Sequence, residues 1–572
     1  MGMGATNTLE RLGTSIGNLN GAVSQFKDCM DVPNVGVLLA LPALLSQGLL
    51  RNIDSYFKLS KGYYTLPHIF LLMAFMALSR LKFIEDLKYI TPGEWGKLLG
   101  LDRVPEARTM RNKVRHLSDN GKPKEWSAAL CKEWMAHTPN ETGVLYVDGH
   151  VRVYHGDQTK LPRHYVSRDK LCARGTVDYW VNAMDGKPFF YVSKTIDPGL
   201  IEVLENEIIP RLEKDIPNQP TEEELKSNPY LSRFIIIVDR EGYSPEFMGR
   251  LWRDKRISVQ TYHKFPKDCW DEEEFFNKTV EMPSGNVISL KLAERGSCIG
   301  KMTKRDNSSI WVRELRNIKN NGTQGSIIST CFNADLIHSF VMMKSRWSQE
   351  NFFKYAVREY NIDRLVNYDL EEMSDTTKLV NPKYRAVDSE IRKIRSQLNR
   401  KKALFGAESL KGEIETKKIK KYEERKSELL EEINQLQVEL DKKVQERKGY
   451  PKHVIFNDLS EEHKFQQLKS ASKHLIDTIK MISYRSETAM ASIVKECIPA
   501  SKYGIARVLL TEIYATEGDI LVNEENKTLT VRLHHLANKS SDEVVRHLCK
   551  ELNETETIYP NTEYRMIYEL VS

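Results

Sequence analysis

From Pro33 to His137 apolar residues return every three or four positions with no alternating run among them, which is the spacing of packed helices. Val37, Leu38, Leu41, Leu44 and Leu45 make one stripe; Leu71, Leu72, Phe75, Met76 and Leu78 belong to another. At Gly143 the period switches to two. Val144–Tyr154 alternates as a long strand, Gly175–Met184 as a second, and Asp185-Gly186 turns the chain into a third, Pro188–Lys194. Pro198-Gly199 stops that strand, and a helix from about Leu200 to Leu212 carries Ile201, Leu204, Ile208 and Leu212 on one face. Phe234–Val238 is a continuous apolar run, the mark of a strand covered on both sides. Ser244-Pro245 starts a helix through about Arg253, and Ile257–Tyr262 is a further strand.

Three strands as a meander, then helix, strand, helix and strand, is the order of the ribonuclease-H-like α/β fold. In that fold the first and fourth strands are neighbours. Residues 264–335 instead hold short alternating segments (Val287–Leu292, Ile310–Leu315, Gly325–Cys331) between Gly- and Asn-rich turns, and read as a β-rich insertion. Helical spacing returns over Ala334–Ile362.

Residues 385–449 are dominated by Lys, Arg, Glu and Gln. Ile419, Tyr422, Leu429, Ile433, Leu436 and Leu440 fall at a and d heptad positions, with Lys426 interrupting them. Ile391, Ile394 and Leu398 repeat the spacing earlier, and Gly406 and Gly412 lie between the two stretches. An antiparallel coiled-coil hairpin is the simplest reading, with a dimeric coiled coil as the rival. Further helices run to about Ile498. A hairpin (Asp519–Val522, Thr528–Leu533), a helix (Ser541–Leu552) and a strand (Arg565–Val571) close the chain.

These patterns divide the chain into a flexible N-terminal arm (1–32) and a helical region (33–140). A ribonuclease-H-like α/β core follows in two pieces (141–263 and 336–370), interrupted by the β-rich insertion (264–335). The coiled-coil hairpin (385–449) precedes an α+β C-terminal region of unassigned role (450–572). The expected class is thus multidomain α/β.

Composition narrows the function. The 572 residues are 40% hydrophobic and 29% charged, with a net charge of +6, a mild bias toward nucleic acid that matters mainly where it clusters. It clusters after Gly100–Pro105. Thr91-Pro92 opens a short helix, and a second from about Glu106 to Leu117 carries Arg108, Arg111, Lys113 and Arg115. Two helices about a tight turn, the second basic, predict a helix-turn-helix contacting DNA; a merely solvated helix face is the plainer alternative. Eight cysteines without a Cys-x-x-Cys pair make neither a disulfide framework nor a zinc ribbon and fit a reducing cytosol. The longest apolar runs, Val35–Leu45 and Ile69–Leu78, are too short to span a bilayer. Gly296-Ser-Cys-Ile-Gly300-Lys301-Met-Thr303 is one residue short of a phosphate loop, and no His-Glu-x-x-His or Gly-x-Ser-x-Gly occurs.

The chemistry concentrates at strand ends. Val147-Asp148-Gly149-His150 and Val238-Asp239-Arg240-Glu241 each deliver a carboxylate to a sheet edge. If their strands are neighbours, the two acids meet and can hold hard divalent cations. Phosphodiester chemistry uses two such ions about 3.5–4 Å apart to serve the attacking and leaving oxygens. A third acid is available in Arg346-Trp347-Ser348-Gln349-Glu350, where Arg346, Glu350 and Lys354 share one helix face. An exposed salt-bridge ladder has the same spacing. His150 is a candidate general base or supporting group, or simply a packed side chain; Glu241 follows Asp239 too closely to approach from across the site.

In this order, with a β-rich insertion between the second Asp and the Glu, the motifs resemble the DDE transposases of bacterial insertion sequences. The resemblance spans about Gly143 to Ile362. It implies Asp148, Asp239 and Glu350 as a catalytic triad binding two Mg²⁺, with Mn²⁺ able to substitute. It implies DNA contacts from Arg346 (phosphate), Trp347 (base stacking), Lys354 and Arg240, joining those of the basic N-terminal helix. The family signature places Tyr three residues before the Arg and Lys seven after the Glu; here Met343 and Val357 stand there, with Lys354 and Arg358 nearby. The implied activity is cleavage at transposon ends and joining of the 3′ hydroxyl to target DNA. Its expected partners are terminal inverted repeats and target DNA, bound by a homodimer in the prokaryotic cytoplasm at the nucleoid. The alternatives are a nuclease on the same fold that never joins strands, and a non-catalytic DNA-bridging descendant.

Overall fold

The computed structural model describes residues 7–60, 62–154, 161–166, 170–266, 268–281, 287–300, 302–303, 306–307, 309–319, 321–364, 370–371, 378–409, 419–460, 464, 467–499 and 504–571. Gly412 and Lys301 lie outside them. The chain forms two compact units: residues 1–154, 163–369 and 469–572 make one, and 155–162 with 370–468 make the other.

The larger unit begins with helices. Leu66–Leu78 (α1) is buried on almost every side. Pro92–Lys97 (α2) leads through a left-handed Gly100 to Ala107–Asn120 (α3), and Pro123–His137 (α4) follows. Residues expected to be a flexible arm are tied into this unit. Thr8–Ser15 is helical, Arg11 pairs with Asp102 at 2.5 Å, and Cys29–Val32 pairs with Gly518–Asn523. The partners lie far along the chain, which is why a short polar segment gives no local sign of order.

A ten-stranded sheet follows. Its strands are β1 (Val144–Val153), β2 (Arg163–Val166), β3 (Leu171–Asn182), β4 (Pro188–Lys194), β5 (Ile235–Val238), β6 (Ser258–Tyr262), β7 (Phe276–Glu281), β8 (Val287–Ile299), β9 (Ile310–Ile318) and β10 (Gln324–Ser329). They lie in the order β2-β3-β1-β5-β6-β10-β9-β8-β7, with β4 also on β3. β1 runs antiparallel to β3 and parallel to β5, in register Val147↔Val238. Alternation sorts the side chains: Leu145, Val147, Ile236 and Val238 enter one core cluster, Tyr146 and Ile237 the other.

The β-rich segment does not fold as a separate sheet. β10 pairs antiparallel with β6 (Ile327↔Tyr262), so it extends the central sheet. Its first strand, β7, lacks clear apolar alternation and has no counterpart in the sequence pattern. The helix after β4 runs from Leu200 to Asp215 and widens to π geometry over Leu204–Ile208, just ahead of Pro210; proline cannot donate a helical hydrogen bond and crowds the preceding turn.

Helical spacing over 334–362 resolves into two helices, Leu336–Lys344 (α5) and Arg346–Tyr360 (α6), broken at Ser345, whose hydroxyl donates to the Val341 carbonyl (2.8 Å). In the second unit, Pro382–Ser409 (α7) and Ile419–Lys448 (α8) pack side by side. Val387, Ile391, Ile394 and Leu398 cluster with Ile433, Leu436 and Leu440. Lys401–Glu432 (2.5 Å) and Lys443–Glu390 (2.6 Å) fix the antiparallel sense within one chain.

Ala471–Glu496 (α9) is buried along nearly its whole length and packs on α1, α3 and α4. Its Arg485 donates to Gln47 Oε1 (3.0 Å) and to the Pro188 carbonyl (3.1 Å), linking the N-terminal helices to the sheet. Its Asp477 and Lys473 join Arg152 and Asp178 in a buried cluster with contacts of 2.9–3.1 Å. Gly518–Asn523, Thr528–Leu533 and Arg565–Leu570 form a small sheet with Cys29–Val32, covered by Lys539–Asn553 (α10). Among the described residues no helix is long and apolar enough to cross a membrane.

Candidate functional site

The parallel register Val147↔Val238 places the next residues, Asp148 and Asp239, side by side where the strands part. Each carboxylate accepts from the backbone N–H that follows it, Gly149 at 2.9 Å and Arg240 at 2.7 Å. The Thr261 hydroxyl donates to the Asp239 carbonyl at 2.9 Å, holding that loop to β6.

α6 brings the third acid. Arg346 Nη2 donates to Glu350 Oε1 at 2.6 Å, and Nη1 lies 3.7 Å from Asp148 Oδ2. The guanidinium therefore sits between carboxylates from the sheet and from the helix. Burial alone would lower its pKa; Asp239, Asp148 and Glu350 more than reverse this and hold it above the ordinary value. Asp148 is the most perturbed acid of the site. Burial pushes its carboxyl up to about 7; Asp239 and Glu241 add to the rise, while Arg346 and the Gly149 N–H oppose it. Such a field favours added positive charge.

Gln349 fixes this geometry. It is buried, and its Nε2 reaches the carbonyls of Tyr146 (3.2 Å) and Trp180 (3.2 Å) and Asn182 Oδ1 (2.9 Å). The residue preceding Glu350 thus clamps α6 to β1 and β3. Its signal in the sequence is a polar residue on the stripe Gln349, Phe352, Ala356, Tyr360, all buried. At the hairpin tip, Gly186 has φ +89°, and a Cβ there would lie 2.7 Å from the Ser348 carbonyl, so only glycine lets the β3–β4 turn approach α6 this closely.

Two further acids border the site. Glu241 adds to the rise at Asp148, and its own carboxyl is pushed up by burial, by Asp197 and by Asp239. Asp197 accepts from the Tyr179 hydroxyl and, at 2.8 Å, from the Gly199 N–H. Glu241 reaches the site although it stands only two residues after Asp239, and Asp197, in the loop after β4, has no signal in the sequence pattern.

The remaining candidates divide. Trp347 is 54% exposed, with the Lys354 ammonium 5.7 Å from its ring centre. Arg240 is exposed, 5.9 Å from the Tyr262 ring. The His150 ring stacks on Phe353 of α6 (5.2 Å, 12°), a packing contact. Arg108, Arg111 and Arg115 are exposed on α3, Arg111 3.1 Å from Glu85, and Lys113 is half-buried with its pKa lowered by that burial. The opposite face of α3, with Met110, Val114 and Leu117, is buried.

The family described as transposase protein matches residues 2–572. The chain belongs to that family. No curated protein matches it. This transposase is thereby a DNA-cleaving and DNA-joining enzyme with DNA as its partner. The match takes in α9, α10 and the helical pair α7–α8, well beyond the stretch that carries the motifs.

The three carboxylates of Asp148, Asp239 and Glu350 do not all lie within 4.8 Å of one another; the group that does, among the described residues, is Asp31, Asp519 and His534 of the small C-terminal sheet. There, His534 Nε2 lies 3.5 Å from Asp519 and 3.7 Å from Asp31.

Two outcomes are expected of the transposase. Gln349→Leu will lower strand cleavage by about tenfold to a hundredfold with DNA affinity retained, since small misplacements of a reacting group carry costs of that order; unchanged turnover would remove the clamp from the account. Asp148→Asn will change metal-free stability with a defined sign. The folded pKa of about 7 lies above the ordinary 3.8, so the wild-type carboxyl contributes stability below pH ~4 that is lost as pH rises through ~7. The Asn variant should melt about 2 °C higher than wild type at pH 8, with no difference near pH 4.

Proposed function

We propose that the enzyme is a DDE transposase with a ribonuclease-H-like core, which cuts at transposon ends and joins the freed 3′ hydroxyl to target DNA. The observation that carries this reading is the pairing of Asp148 and Asp239 at the parting of two parallel strands, with Glu350 brought to them through Arg346. Strand order supports it. In chain order the meander and the two following strands lie 3-2-1-4-5, with the insertion entering after the fifth. The donor set fits hard cations: three carboxylates, one of them raised by burial and by its acidic neighbours.

Asp148, Asp239 and Glu350 would hold two Mg²⁺, or Mn²⁺ in their place, which supply charge relief at the attacking and leaving oxygens. Arg346 offers a planar pair of donors suited to a backbone phosphate. Trp347 presents an exposed indole for stacking on an unpaired base, with Lys354 beside it. Arg240 stands next to Asp239, and the exposed basic face of α3 adds phosphate contacts away from the reacting centre. Joining requires two ends held together, so the working form is a dimer on DNA.

The test is strand transfer. Duplexes carrying the sequence that flanks the gene, pre-cut to expose a 3′ hydroxyl, should be joined to a supercoiled plasmid in Mg²⁺. Nicking without joining would instead assign a nuclease on this fold, and DNA binding with neither reaction a non-catalytic bridging protein.

A further inference from the structure

Arg346 and Glu350 are one helical turn apart on α6, in contact at 2.6 Å. The same guanidinium reaches across to Asp148 on the sheet, and its side chain is only 14% exposed. Glu350 and Asp148 are two of the three acids that the proposed function assigns to divalent cations. An ion bound by both must face a cation already between them. Like charges at such spacing repel by an amount that is large wherever water is partly excluded. One guanidinium against Asp148, Asp239 and Glu350 still leaves net negative charge, so the arginine satisfies the site only in part.

We propose that Arg346 is an exchangeable counter-cation, which occupies the carboxylates in the free protein and releases them when a DNA phosphate takes its place as partner. This rests on the metal-binding reading of the triad. The arrangement suits an exchange. A guanidinium binds phosphate through two parallel hydrogen bonds, a stronger match than its present contacts, one of which is a 3.7 Å approach. Next in sequence, Trp347 is exposed, and Lys354 lies a turn beyond Glu350, so a strand reaching Arg346 meets an aromatic face and a second cation. No bond is made or broken; one ion pair replaces another. Because coupling between sites is reciprocal, DNA should raise affinity for the cation and the cation should raise affinity for DNA. The free protein would then keep its cutting centre poorly loaded until an end is bound.

The experiment is Mn²⁺ binding by the full-length protein, followed through the electron paramagnetic resonance signal of free Mn²⁺ and by calorimetry, without DNA. Wild type should bind weakly at the triad, Arg346→Gln about tenfold more tightly, and Arg346→Lys, which keeps the charge, close to wild type. Adding a short duplex should raise the affinity of wild type several-fold and leave Arg346→Gln nearly unchanged, with an Asp148→Asn/Asp239→Asn variant subtracting the Mn²⁺ taken up by the DNA. Thermal melts of each variant establish that it is folded. Equal Mn²⁺ affinity in wild type and Arg346→Gln, with binding lost in the double Asp variant, would overturn the exchange and leave the triad standing. No Mn²⁺ binding dependent on Asp148 and Asp239 in any variant, with or without DNA, would overturn the metal reading and the exchange with it.

Discussion

Replacing Asp148 or Asp239 with Asn will lower Mg²⁺-dependent strand cleavage by about a thousandfold while leaving DNA binding nearly intact. The size follows from what such a carboxylate does. It positions positive charge at oxygens whose own charge changes during reaction, and losing one preorganised electrostatic contact costs a hundredfold to a thousandfold. DNA affinity survives because it comes from cations meeting phosphates, and neither Asp supplies one. Glu350→Gln should behave alike, with one added consequence: Arg346 loses its 2.6 Å partner and turns wholly to Asp148. If the three act as a unit, as proposed, combining the substitutions should do little more than one alone. Gel-based cleavage of an end-containing duplex, with filter binding in parallel, measures both quantities. Cleavage within tenfold of wild type in either Asp variant would remove that residue from the triad.

The second large effect lies outside the reacting centre. Glu487 of α9 is fully buried and accepts from Tyr355 (2.7 Å) and Tyr360 (2.5 Å) of α6, from Arg80 (2.5 Å) beyond α1, and pairs with Arg507 (3.2 Å). One carboxylate thus ties the helix that carries Glu350 to the N-terminal and C-terminal regions. Glu487→Ala leaves two cations facing each other beneath the surface and two hydroxyls without their acceptor. Removing one partner of a buried pair costs about 3–5 kcal/mol. We expect a drop of several degrees in the melting temperature of the larger unit, with Glu487→Gln falling between it and wild type. Cleavage should decline as well, because α6 loses the anchor at its far end while Gln349 holds the near one. An unchanged melting temperature would mean that this network adds no stability.

What was legible in the sequence divides along physical lines. β5 was legible as a short apolar run closed by an acid, and β1 as a longer alternating run that passes through Asp148. Their adjacency followed from element order and stands in the register Val147↔Val238. The two helices α7 and α8 were legible from heptad spacing on either side of glycine, but that spacing serves an antiparallel hairpin and a dimeric coiled coil equally; the pairs Lys401–Glu432 and Lys443–Glu390 decide for the hairpin. Other features had no local signal. The insertion's attachment to β6 is a pairing between residues some sixty-five apart, and nothing in either strand names its partner. α9 was legible as a helix but its depth was not, because it carries paired charges such as Asp477, Lys473 and Glu487 inside; a buried helix rich in ions resembles a solvated one until its partners are known. Gln349 was hidden for the opposite reason, as a neutral amide next to a conspicuous acid. Asp197 and Glu241 gather around the site through loop geometry that no period encodes.

Anomalous scattering of Mn²⁺ in crystals of the protein bound to an end-containing duplex will locate the cations of strand cleavage. We expect peaks at coordination distance from carboxylate oxygens of Asp148, Asp239 and Glu350, with the Arg346 guanidinium turned from Glu350 to a phosphate. Peaks confined to Asp31, Asp519 and His534, with Arg346 still on Glu350, would contradict that placement.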